Sequence, residues 1–405
     1  MKELREITDW IASQDHTFHR IPKVSSLPSP EFECEGQTMV SFSSNNYLSL
    51  AHDPRMVAAA KRGLDLFGVA NCESRLLGGD MDVYLDLEQS LAKIKGKETA
   101  LLFATGYLTN IGVLSALPNS ALLPRAYGFR PSKRRRYTYF TDEFNHTSIR
   151  EGIALSGIPK VMYRHCDLED LRKKLKAAPD VCKIIVSDGV FSMDGDIAPL
   201  PELIDLAEEF DATLYIDDAH GTGVLGATGG GITEHFGVNS PRLISMGTLS
   251  KAYGAIGGFI ATEQYIADTL RFTSSAFGFT STMPPDQVLA VSMALHIIKT
   301  EPQRRERLWA NQRYFVNQVE ALGMDLISKE TCIVPILIGD EQRCEEYAYL
   351  LSERGYHVDS IIYPAVKRGK ARLRFNINAH HTKAHIDGLV SILAENRSAA
   401  LQMTA

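Results

Sequence analysis

A chain of 405 residues, 44% apolar and 23% charged, is long enough for a large domain with a smaller companion and has the composition of an ordinary globular protein, which excludes disordered and fibrous classes. Its formal net charge of −6 and single short basic run, Lys133-Arg134-Arg135-Arg136, argue against a general nucleic-acid binder. Six cysteines without CxxC spacing fit reduced thiols, the charged N-terminal stretch lacks a signal-type apolar core, and no apolar run reaches membrane length, so a cytoplasmic protein without an integral membrane segment is expected.

Between Lys2 and Phe18 the residues Leu4, Ile7, Trp10 and Ile11 recur at helical spacing and predict an amphipathic helix. After a Pro/Ser-rich joint, Thr38 to Phe42 reads as a short strand leading into the turn Ser43-Ser44-Asn45-Asn46-Tyr47-Leu48-Ser49-Leu50, whose asparagines suit Asx-turns. Asp53 as N-cap and Pro54 behind it start a helix predicted to Phe67. A loop through Asn71 to Asp80 precedes a helix from Tyr84 to Ile94, closed by Gly96, and a strand from Ala100 to Phe103. Thr105-Gly106-Tyr107 ends that strand and opens an apolar helix through Leu117. Free N–H groups at such a corner attract anions, Gly106 permits close approach and Tyr107 adds an aromatic face, although a plain turn has the same appearance. Pro118 to Arg136 reads as a basic surface excursion.

Strands Tyr137 to Thr141, Lys160 to Arg164, Lys183 to Ser187 and Thr213 to Ile216 then alternate with helices that begin at His146 and span Leu168 to Ala177 and Pro199 to Phe210. That alternation predicts an α/β fold with a parallel sheet and crossovers. Asp217-Asp218-Ala219-His220-Gly221-Thr222-Gly223 follows the last strand, where two acids and a histidine need partners. No HxxxH-type spacing accompanies them, so no metal is expected. The strand Leu243 to Met246 runs into Gly247-Thr248-Leu249-Ser250-Lys251-Ala252-Tyr253-Gly254, which puts Lys251 just past a strand end, the edge where open α/β sheets keep their chemistry. A lysine held there away from water loses its proton more easily and can capture an aldehyde, the bland alternative being a solvated loop residue.

Strand Gly257 to Thr262, helix Glu263 to Ser275, a hydroxyl-rich loop Phe279 to Pro285 and a helix to about Lys299 complete a large domain, assigned to 45–300. Residues 1–44 form an N-terminal helix and strand joining the small domain, and 301–405 form that small α+β domain. Its predicted elements are helices Pro302 to Leu322, Glu341 to Glu353 and Lys383 to Glu395 and strands near Ile333 to Ile338, Tyr356 to Ile362 and Ala371 to Ile377, with a frayed end from Arg397.

A Schiff-base lysine, an acid for a ring nitrogen and a phosphate cradle together match one cofactor, pyridoxal 5′-phosphate. Lys251 and Asp217, 34 residues apart, are the candidate pair, with Thr248 offering its hydroxyl beside the Gly106 and Tyr107 amides. The ordered motifs Asn45-Asn46-Tyr47-Leu48, Thr105-Gly106-Tyr107, His146-Thr147-Ser148, Gly189 to Asp196, Asp217 to Gly223, Gly247 to Gly254 and Ala371-Arg372-Leu373-Arg374 resemble the α-oxoamine synthase family across Ser43 to His380. This group includes serine palmitoyltransferase, 8-amino-7-oxononanoate synthase, glycine C-acetyltransferase and α-hydroxyketone autoinducer synthases.

The resemblance implies a fold-type I pyridoxal-phosphate-dependent transferase, with a mostly parallel seven-stranded sheet carrying helices on both faces. It implies decarboxylating condensation of a small amino acid with an acyl-CoA or acyl-carrier thioester to an α-amino ketone. His146 would stack on the cofactor ring, His220 would reach its hydroxyl oxygen, and Asn45 and Arg374 would hold the substrate carboxylate. Thr280 and Ser281 would reach the phosphate of a neighbouring subunit, making a homodimer with shared sites.

Several positions depart from the family pattern. Cys72 and Glu73 stand where it has a glycine pair, and Glu73 is a candidate contact to substrate. Ile362-Tyr363-Pro364 lacks the arginine that serine palmitoyltransferases use, whereas Gly106-Tyr107, Gly195 to Leu200 and Gly257-Gly258-Phe259 lean toward that side. Ordinary aminotransferase chemistry is the rival enzyme reading. An idle subunit would be expected to lose Lys251, and a regulator's effector domain would need a DNA-binding extension.

Overall fold

The computed structural model describes residues 1–13, 22–133 and 135–396. Strands are numbered β1 (Glu31–Cys34), β2 (Gln37–Ser41), β3 (Thr99–Phe103), β4 (Tyr137–Asp142), β5 (Lys160–Tyr163), β6 (Cys182–Asp188), β7 (Thr213–Asp217), β8 (Leu243–Thr248), β9 (Gly258–Thr262), β10 (Ile333–Gly339), β11 (Tyr356–His357), β12 (Asp359–Ile361) and β13 (Ala371–Asn376). Seven of them make the principal sheet, in the order β3-β9-β8-β7-β6-β4-β5. Only β9 runs against its neighbours, as expected for a mostly parallel α/β sheet.

The period of two along each strand explains why both faces are covered. Leu102, Phe140, Ile185, Leu214, Ile216 and Phe259 enter one core with helices Asp82–Lys95, Leu200–Glu209 and Pro285–Thr300. Leu101, Tyr139, Ile184, Val186, Tyr215 and Ile260 enter the other with helices Gly106–Ala116, Thr147–Ser156 and Gln264–Thr273. The inner strands β7 and β8 are therefore buried on both sides and read in sequence as nearly continuous apolar runs, whereas the edge strand β5 leaves Lys160 and Met162 exposed.

Helix boundaries follow their caps. Asp53 accepts from Arg55 N at the start of Pro54–Phe67, and Gly96 takes the left-handed conformation, φ 63°, that ends Asp82–Lys95. The N-terminal helix spans Lys2–Ser13 with no residue buried, and the remainder of its predicted extent, like the end from Arg397, lies outside the described residues.

Three features differ from the sequence expectation. The hairpin strand β1 was not among the predicted strands; it is short, and it pairs with β2 through a Glu35-Gly36 turn with φ of 52° and 82°. The single predicted strand from Tyr356 to Ile362 divides at buried Val358, because its first part pairs parallel with β2 and its second pairs antiparallel with β13. The excursion after Pro118 contains a helix, Leu122–Ala126, and walls a cavity of about 800 Å3 with Arg125, Arg135 and Arg136 at the amino-terminal ends of β4 and β6. Among the described residues no helix is long and apolar enough to cross a membrane.

Candidate active site

The carboxyl-terminal edge of the principal sheet gathers the chemistry. Asp188 ends β6, Asp217 ends β7 and Thr248 ends β8, and parallel pairing sets Asp188 directly beside Asp217. Around them lies a cavity of about 300 Å3 lined by Gly106, Tyr107, His146, Asp217, His220, Thr248 and Lys251, the seven predicted residues that the fold brings together. Asn110, Ser148, Asp188 and Ser250 also line it.

Lys251 Nζ lies 2.7 Å from His220 Nε2. Burial pulls the lysine down to about 8, against the opposing pull of Asp217 and Asp188. Burial also lowers His220 well below the ordinary imidazole range, with the Lys251 charge acting in the same direction. The other ring nitrogen, Nδ1, is 2.7 Å from the Tyr47 hydroxyl.

Asp217 is held from two sides. Asn110 Nδ2 donates to its Oδ2 at 2.6 Å, and the backbone N–H of Ala219 donates to its Oδ1 at 3.0 Å. Tyr215 donates to Asn110 Oδ1 at 2.6 Å, which sets the direction of that amide. Asn110 Nδ2 also reaches Ser148 Oγ at 2.8 Å, and this hydroxyl lies 2.7 Å from His146 Nδ1. His146 is thus fixed as the N-cap of its helix while its backbone N–H donates to Asp188 Oδ2 at 2.9 Å. Burial lowers His146 and raises Asp188, the latter with help from the adjacent Asp217.

Asn110 was not singled out from the sequence, although it is the one amide side chain in a mostly apolar helix, one turn beyond Gly106 and so on the same face. Asp218, by contrast, points away from the cavity into a buried ion pair with Lys95 at 2.5 Å. Its partner comes from more than a hundred residues upstream, which no local pattern could reveal.

The corner at Gly106 fits a phosphate. An eleven-residue helix begins there with Thr105 as N-cap, and a Cβ on Gly106 would sit 2.7 Å from Thr248 Oγ1. Thr248 Oγ1 is itself 2.9 Å from Ser250 Oγ, which leaves hydroxyls and free N–H groups around one small space. A carboxyl, a lysine and an anion cradle on three sides of one cavity are the donor set that pyridoxal phosphate requires.

The remaining predicted residues lie outside the cavity. Arg374 is held by Asp359 at 2.6 Å and by the Ser192 carbonyl at 3.2 Å, leaving its buried Nε without a partner. Arg372, on the same face of β13, pairs with Asp194 at 2.6 Å and is structural. The Gly189 to Asp196 motif is therefore the seam on which β13 docks. Asn45 accepts from Tyr47 and Asn376, both at 3.1 Å. Thr280 and Ser281 stand on the surface loop after exposed Phe279. Glu73 is exposed, accepting only from Ser74 N at 3.2 Å, and Cys72 has φ 53°, the left-handed region that glycine favours.

Residues 37–393 match the family model for aminotransferase class I and II. The chain is 39% identical over 391 residues to 8-amino-7-oxononanoate synthase 1 of Bacillus velezensis, covering 96% of this chain and 95% of that one. It is 38% identical to the 8-amino-7-oxononanoate synthase of Bacillus pumilus, covering 98% of each. A serine palmitoyltransferase from S. paucimobilis, solved with pyridoxal phosphate and myriocin bound, superimposes with a TM-score of 0.88 at 28% identity, covering 98% of this chain and 97% of that chain. The 8-amino-7-oxononanoate synthase of Francisella tularensis superimposes with a TM-score of 0.74 at 26% identity, covering 89% and 98%.

Fold and site together define a fold-type I transferase that uses pyridoxal 5′-phosphate. Within that class the chain belongs to the α-oxoamine synthase family, enzymes that condense an amino acid with an acyl thioester and release carbon dioxide.

Proposed function

We propose that Lys251 holds the cofactor aldehyde, that Asp217 pairs with its ring nitrogen, that His146 stacks on the ring and that His220 faces the ring hydroxyl. Gly106, Tyr107 and Thr248 take the phosphate. The observation that carries this assignment is the 2.7 Å contact of Lys251 with His220 in a cavity whose other wall is the braced carboxyl of Asp217. When bound, the cofactor supplies an electron sink for the bonds at the substrate Cα.

The chain's own residues then divide the work. Arg374, whose charge acts on both Lys251 and His220 from beside the cavity, and Asn45 fix the substrate carboxylate, which orients the Cα bonds. Lys251, freed once the substrate's own amine has replaced it on the aldehyde and brought down to about 8 by burial, would take the Cα proton as a neutral amine. Burial excludes water from the nitrogen that accepts this proton, so the proton stays at the site for return to product.

The substrates follow from the names of the relatives. In 8-amino-7-oxononanoate the amino group sits on carbon 8 beside a terminal methyl, so the product divides into a decarboxylated alanine and a seven-carbon acyl unit. We therefore place L-alanine first, with an acyl chain longer than acetyl. Serine is the second reading, favoured by the higher TM-score of 0.88 with serine palmitoyltransferase. The experiment is a screen of alanine, serine and glycine against acyl-CoA esters of graded length, read by thiol release and product mass. Alanine is expected to release thiol fastest; keto-acid exchange without thiol release would reassign the chain to aminotransferase chemistry.

The same proposal includes a homodimer, a cytoplasmic location for the six free thiols, and the division into 1–44, 45–300 and 301–405. Thr280 and Ser281 reach no part of their own cavity, and Tyr107 and Ile256 at its rim are 47% and 43% exposed, which fits a site completed by a second copy. Lys251→Ala protein refolded together with a Thr280→Ala, Ser281→Ala double variant is expected to regain activity that neither has alone. Mixtures without any gain would mean that these hydroxyls serve no neighbouring site.

A further inference from the structure

Tyr47 has no role in the assignment above, yet it is fully buried between the asparagine turn and His220. The direction of every bond on this line follows from one backbone group. The Ser43 carbonyl can only accept, and Asn376 Nδ2 donates to it at 2.7 Å, which fixes the orientation of the Asn376 amide. The same nitrogen lies 3.1 Å from Asn45, so the Asn45 atom facing it is the oxygen, Oδ1. Tyr47 carries one proton and stands 3.1 Å from that oxygen and 2.7 Å from His220 Nδ1. Its O–H therefore donates to Asn45, and its oxygen accepts from His220 Nδ1–H. A neutral imidazole protonated at Nδ1 presents a lone pair at Nε2, toward Lys251 Nζ at 2.7 Å.

We propose that Tyr47 is a positioning residue that, through this relay from Ser43, holds His220 in its Nδ1–H form so that Lys251 is met by an acceptor. The consequence rests on the reading of Lys251 given above. An amine that donates one N–H to His220 keeps its own lone pair free for the cavity, whereas a donor at Nε2 would occupy that lone pair and block capture of an aldehyde or a proton.

The test uses the full chain without cofactor, labelled with 15N-histidine, with the His220 signals assigned from a His220→Gln variant. Long-range imidazole spectra are expected to show Nε2 as the unprotonated nitrogen. Tyr47→Phe keeps the packing and removes the acceptor, so His220 is expected to populate both forms. Capture of an aldehyde probe by Lys251 is expected to slow about fivefold, the equivalent of one neutral hydrogen bond. Asn45→Leu removes the acceptor of the Tyr47 O–H, and Tyr47 is then expected to donate to His220 Nδ1, moving the proton to Nε2. Wild-type protein protonated at Nε2, or an unchanged form in Asn45→Leu, would overturn the relay. A correct tautomer in a chain that binds no cofactor would instead overturn the site assignment and leave the relay standing.

Discussion

Replacing Lys251 by alanine is expected to lower turnover by at least roughly 10²–10⁴-fold, the range that loss of a positioned base produces, and to remove the absorbance that the wild type shows on binding pyridoxal phosphate. The protein is expected to stay folded, since the substitution relieves a buried cation of solvent loss instead of breaking a core contact. Wild-type protein freed of cofactor gives the complementary measurement. Its lysine sits at about 8, well below the usual 10.5, so a larger fraction is neutral near working pH. Capture of the cofactor, followed by absorbance, is expected to rise with pH and to level off above about 8. A midpoint near 10, or persistent absorbance in Lys251→Ala, would mean that another lysine performs the chemistry.

Asp217→Ala is expected to be the second most damaging change, with kcat lowered by roughly 10²–10³-fold, as for loss of one preorganised electrostatic partner, and with weaker retention of cofactor on dialysis. The alanine also removes one of the two acceptors of the buried Asn110 amide, leaving it only Ser148 Oγ. Asp188 is raised partly by its neighbour Asp217, so its carboxyl is expected to titrate lower in the variant. Infrared difference spectra of the carboxyl band check that direction. Full cofactor retention and unchanged kcat in Asp217→Ala would place the ring nitrogen elsewhere.

Much of this site was legible without coordinates because its residues sit where local rules act. A strand end carries Asp217, the turn just past another carries Lys251, a strand-to-helix corner carries Gly106, and an N-cap carries His146, positions marked by the change from an apolar run to small or polar residues. The α/β class followed in the same way from alternating runs and helical periods. Less was legible at the sheet margins. The two-residue strand β11 is too short to show a period, and it was merged with β12 because only pairing with β2 or β13 separates them.

By itself, the sequence determined which residue types stand at the carboxyl-terminal edge, and with them the class of chemistry. Local backbone preference and hydrophobic period suffice for that. Only the tertiary structure decided what each group touches: Asn110 against Asp217, Lys95 against Asp218, Tyr47 against His220, and Arg374 against Asp359. These pairs join residues up to 173 positions apart, and they form because a buried polar group must find a partner wherever the packed chain supplies one. Pattern along the chain cannot name that partner, and in this protein the partners set the lysine's proton, the histidine's tautomer and the direction of the acid.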